Sequence, residues 1–225
     1  MANDVANSAL YDILSLFGIP TTTLQELWQQ HCEQKISESR DILFSEIEQG
    51  SFDNIGNDDK VSIMHRYMQA AMNGSARINL RLLAKAINGL SKGEKQSKPI
   101  YANEFNRYAQ VLETLSVEEI QILAKLYKMR EDQKKYIKEN QTPPPGIKGN
   151  YAERFLINLE FIDSLSREKT MAFLCSLLRT GLVYQDGVGA LNSIQYVLSP
   201  FFDEIVALVD FQDALNKENN VDSKC

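Results

Sequence analysis

The stretch from Ser166 to Asp210 constrains the fold more than any other part of this chain, because its cap and turn residues dictate an order of elements. Ser166 followed by Glu168 is an N-cap with an acid in the first turn, where the helix dipole favours it. Met171, Leu174, Leu177 and Leu178 then fall on one helical face, and Lys169, Ala172, Ser176 and Arg179 fall on the opposite one. Gly181 suits a C-terminal cap, since glycine takes the left-handed conformation without steric cost. Leu182-Val183-Tyr184 reads as a strand, and Asp186-Gly187 through Asn192-Ser193 as turn chemistry. Ile194 to Leu198 alternates as a second strand that Pro200 ends, and Phe201 to Val209 returns to helical periodicity. The predicted order is therefore helix, strand, glycine-bearing loop, strand, helix.

Two segments carry a family likeness. Arg179-Thr180-Gly181-Leu182-Val183 precedes the loop, and Tyr196-Val197-Leu198-Ser199-Pro200-Phe201 follows it, close to a Tyr-x-Leu-Thr-Pro pattern. In these the last quarter of the chain resembles the winged-helix family. The resemblance implies a two-stranded wing and a role either in reading DNA or in plain protein contact. The expected wing, Gln185 to Ser193, holds no Lys or Arg, whereas a DNA-reading wing usually offers a cation to phosphate. The stretch Ala76 to Leu83 and the module order are also similar to helical proteins of bacteria and their prophages, including abortive-infection types, which implies a bacterial cytoplasmic setting and phage-related roles.

At 225 residues the chain is long enough for a sizeable core. Its net charge of -6 and pI near 5.1 give no general attraction to nucleic acid or membrane. Cys32, Cys175 and Cys225 form no spacing motif and are expected as reduced thiols, with Cys175 toward the apolar side of its helix. No basic segment opens the chain, so no signal peptide is expected. No run reaches the ~20 apolar residues that span a bilayer; the nearest, Val5 to Leu24, reads as core helix, with a membrane-associated segment as the alternative.

In chain order, a first helix is predicted from Asn3 or Asp4 to before Gly18. A long polar helix follows, from the threonines after Pro20 to about Gln49, with a thin apolar stripe that includes Trp28, Ile36 and Leu43. Trp28 is read either as a buried anchor or as an interface hot spot. Val61 to Leu90 is the most apolar helical stretch and is expected to be central, with a break near Asn73-Gly74; its methionines read as core filler. Ala102 to Leu115 is a further helix. Ser116 and Glu119 form a capping-box pattern that opens the next one, which could serve as the first helix of the winged-helix unit. Gln133 to Gly149 reads as a charged segment and a stiff Pro143-Pro144-Pro145 spacer, Tyr151 to Leu165 as helix, and Lys217 to Cys225 as a disordered tail.

Charge is unevenly placed. Residues 1–60 hold 11 acids and 3 bases, whereas residues 77–98 hold 6 bases and 1 acid. Arg77, Arg81 and Lys85 recur every fourth residue and make one cationic stripe. The stripe reads as a solvated face, as a partner for the acidic N-terminal helices within or between chains, or as an anion-binding surface for phosphate. A second basic run spans Lys125 to Lys138. Catalytic chemistry finds little footing: His31 and His65 make no metal-ligand spacing with each other or with cysteine, and no phosphate-binding or nucleophile-elbow motif occurs.

The sequence thus predicts a mainly α protein, with an N-terminal helical part (1–98), a C-terminal winged-helix-like unit with a two-stranded wing (99–216) and a tail (217–225). The expected role is non-enzymatic, without cofactor or metal, in the cytoplasm, through a protein partner or self-association and not through a membrane. Trp28 and Phe173 are the candidate protein interface. The alternative is a DNA-binding regulator that uses Lys169, Ser176 and Arg179, helped by Arg77, Arg81 and Lys85.

Overall fold

A computed structural model describes residues 21–47, 55–91, 102–140, 166–188 and 194–222. Among them the chain is mainly α, with eight helices and one two-stranded antiparallel sheet near the C-terminal end. The helices are α1 (Thr21–Glu46), α2 (Asn57–Met72), α3 (Arg77–Ser91), α4 (Ala102–Leu112), α5 (Val117–Asn140) and α6 (Arg167–Leu178). The strands β1 (Val183–Val188) and β2 (Ile194–Leu198) follow, then α7 (Pro200–Val206) and α8 (Phe211–Asp222). The helices expected over 3–17 and 151–165 and the triple-proline spacer lie outside the described residues. Trp28 sits on α1, but its side chain is not among those described.

The central apolar stretch is two helices. Gly74 has φ +85, a left-handed conformation that breaks the chain between α2 and α3 where Asn73-Gly74 announced it. α3 is buried nearly all round through Ile78, Leu80, Leu82, Leu83, Ala84, Ala86, Ile87 and Leu90. It packs against α1, α2, α4 and α8, which makes it the axis of the fold. Asn79, also buried, donates Nδ2 to the carbonyls of Leu112 (2.7 Å) and Leu115 (2.8 Å). The first is at the end of α4, where carbonyls lack intrahelical donors, and the second is in the turn between α4 and α5. α5 starts on the reciprocal capping box: the Ser116 N–H donates to Glu119 Oε2 (2.7 Å) and the Glu119 N–H to Ser116 Oγ (3.1 Å).

In the C-terminal part, Ser166 caps α6 by accepting from the Lys169 N–H (3.3 Å), and Gly181 ends the helix with φ +72. β1 and β2 pair Val183 with Leu198, Tyr184 with Val197 and Gln185 with Tyr196, with an irregularity between Gln185 and Val188. The Ser199 N–H bonds the Leu182 carbonyl (2.9 Å) and closes the hairpin base, while Ser199 Oγ accepts from the Phe202 N–H (3.1 Å) and caps α7. Pro200 takes the first turn of α7, where its missing N–H is not needed, so one dipeptide stops a strand and starts a helix.

α7 is clamped by two similar arrangements. Phe201 stacks on Tyr108 (centroids 6.0 Å apart), with Arg107 over both rings and ion-paired to Glu204. Phe202 meets Tyr127 (6.1 Å) and stacks on Phe211 (5.7 Å), with Arg130 over Tyr127 and Phe202 and bonded to Asp203 Oδ1 at 2.5 Å. One buried cluster runs from Ile42 to Leu215, across the boundary expected at residue 98.

Three expectations need correction. Residues 217–222 are helical and not a disordered tail, because Lys217 and Glu218 are tied into ion pairs described below. The segment from Gln133 continues α5 to Asn140, although no described side chain beyond Arg130 on this helix is buried. Cys175 is exposed and not on the apolar side, with Sγ 3.6 Å from the hydroxyl of buried Tyr196.

Candidate functional site

The cationic stripe of α3 is met by charged residues of other parts of the chain. Arg77, Arg81 and Lys85 lie one turn apart along the side of α3 that faces α1 and α8. On α1, Glu38 and Glu46 are also eight residues apart, so two carboxylates about 12 Å apart run beside cations of the same pitch. From α8 come Asp213, Lys217 and Glu218. Arg77 pairs with Glu38 and donates Nε to Glu218 Oε1 at 2.8 Å. Arg81 gives Nη1 to Glu46 Oε1 at 2.6 Å and lies 3.4 Å from Glu218 Oε2 through Nη2. Lys85 Nζ reaches Glu46 Oε2 (3.1 Å) and Asp213 Oδ2 (2.5 Å), and Lys217 Nζ reaches the same two carboxylates at 2.9 and 3.2 Å. Four cations thus meet four carboxylates across three helices.

The inner part of this network is dry. The side chains of Glu46 and Arg81 are 3% and 7% exposed, whereas Arg77, Asp213 and Lys217 are near 40%. Burial works to raise the Glu46 carboxyl, but hydrogen bonds from Lys217, Arg81 and Lys85 outweigh it and hold Glu46 below the ordinary glutamate value. Glu38 follows the same balance, with burial outweighed by Arg77 and Lys35. Asp213 is lowered chiefly by its bond from Lys85. Lys217 is raised, since Glu46 and Asp213 outweigh the effect of burial. These four shifts all favour the charged form.

The outer face of α6 is different. Lys169 and Ala172 are exposed and Ser176 half-buried. Arg179 is also exposed, and it donates Nε to Ser176 Oγ (3.2 Å) and Nη2 to the Thr114 carbonyl (3.4 Å), and lies 3.6 Å from buried Glu119. It therefore ties the end of α6 to the turn between α4 and α5. Phe173 is half-buried and packs against the core. The six candidate cationic and hydroxyl residues fall into two separate groups, with Arg77, Arg81 and Lys85 on α3 and Lys169, Ser176 and Arg179 on or next to α6.

The expected pairing of the stripe with the acidic N-terminal helices holds through Glu38 and Glu46 of α1, although neither carboxylate was singled out, whereas Asp213, Lys217 and Glu218 of α8 were missed as partners. Their signal was present in the eight-residue spacing of Glu38 and Glu46, which matches Arg77 and Lys85, and in the one-turn spacing of Asp213 and Lys217. An open groove of about 630 Å³ lies beside the network, lined by residues of α1 together with Arg77 and Arg81. Among the described residues, no group of three or more His, Cys, Asp or Glu side chains is placed to hold a metal ion. No described helix is long and apolar enough to cross a membrane. Comparison of the chain with models of protein families, with curated proteins and with solved structures finds no match to any of them.

Proposed function

We propose that the chain is a non-enzymatic interaction protein of the cytoplasm, whose C-terminal winged-helix-like unit supports packing and protein contact. The observation that carries this reading is the neutralisation of Arg77, Arg81 and Lys85 by Glu38, Glu46, Asp213 and Glu218. A phosphate backbone draws its affinity from cations that shed counterions on contact. Here the α3 cations already hold carboxylates, and Arg179 is engaged with Glu119 and the Thr114 carbonyl. Among the side chains the described surface offers a partner are apolar ones: Phe44 on α1 and Val61 on α2 are each 71% exposed, and Tyr184 on β1 is exposed as well. Large exposed apolar side chains suit a protein contact better than a polyanion.

Titration of a labelled random-sequence duplex, followed by fluorescence anisotropy at low and at physiological salt, tests the reading. The expected result is no binding at low salt. Micromolar binding that collapses as salt rises overturns it and returns the α6 face, with Lys169 exposed, to a nucleic-acid role. Charge reversal at Lys169 and Arg179 then locates the contact.

A further inference from the structure

We draw no further inference here: the strongest candidate, the open groove of about 630 Å³ between α1 and α3 lined in part by Gln34, Ser37, Glu38, Asp41, Arg77 and Arg81, has its arginines already paired with carboxylates of the chain, and nothing in the structure shows what covers it.

Discussion

Replacing Glu46 with Gln keeps the shape of the side chain and removes the charge at the centre of the ion cluster. Glu46 accepts from Arg81 at 2.6 Å and from Lys217 at 2.9 and 3.1 Å, with Lys85 at 3.1 Å, and its side chain is 3% exposed. Removing one partner of a buried charge pair costs about 3–5 kcal/mol, because the remaining charge stays buried. Each cation retains a second carboxylate: Glu218 for Arg81, and Asp213 for Lys85 and Lys217. The lower end, about 3 kcal/mol, is therefore expected. At roughly 2–4 °C per kcal/mol for a chain of this size, E46Q should lower Tm by about 6–12 °C. Glu33→Gln, at an exposed position on the same helix, serves as the control and should stay within about 0.5 kcal/mol. The assay is thermal melting by circular dichroism, repeated from pH 7 down to pH 3. Glu46, Glu38 and Asp213 all have folded values below their unfolded ones. Their contribution is thus complete above the unfolded carboxylate range, about pH 4–4.5, and is lost as pH falls through the folded values. The gap between wild type and E46Q should narrow over that window. A Tm loss no larger than that of the control, or a gap that does not change with pH, refutes the reasoning.

Other substitutions test the frame that holds the cluster. A Cβ on Gly89 would lie 2.6 Å from the Leu208 carbonyl oxygen and 2.8 Å from its Cα, so G89A should destabilise by about 1–3 kcal/mol in urea titration. On helix propensity alone it should instead stabilise by roughly 1 kcal/mol. Asn79→Ala strips the donor from two carbonyls, one at the end of α4 and one in the turn before α5, and should cost about 2–4 kcal/mol, with faster hydrogen exchange at the start of α5. Tyr67→Phe removes the hydroxyl that donates to the Ser39 carbonyl at 2.8 Å, and should cost about 1–2 kcal/mol by the same denaturation measurement.

The elements whose signals are local were legible. Ser116 with Glu119, Ser166, Gly74, Gly181 and Pro200 each act within a few residues of themselves, so these caps and turns could be read directly from the chain, although the Ser199 cap of α7 was not. The α3 stripe was legible only in part: the acidic N-terminal helices were among its expected partners, but the choice between them and solvent or phosphate was open and α8 was not foreseen, because the partners lie between 35 and 141 residues away and a charge run looks the same whether solvent or a helix faces it. The last helix failed for a related reason. Lys217 and Glu218 read as tail composition, yet they are polar because they meet Glu46, Arg77 and Arg81. Cys175 was misplaced by small angular errors on a twelve-residue helix whose apolar stripe is ill-defined. Arg179 was placed on the polar face of α6 and is exposed, but its turn toward Glu119 depends on how α6 sits beside α5.

The central claim is that the cations of α3 belong to the chain's own carboxylates, and a double-mutant cycle between Glu46→Gln and Arg81→Met addresses it most directly. If the two side chains act as one unit, the double variant should be less destabilised than the sum of the single variants by about 1–3 kcal/mol in chemical denaturation. Additivity within about 0.5 kcal/mol would mean that the two charges do not sense each other in solution, and would contradict the account.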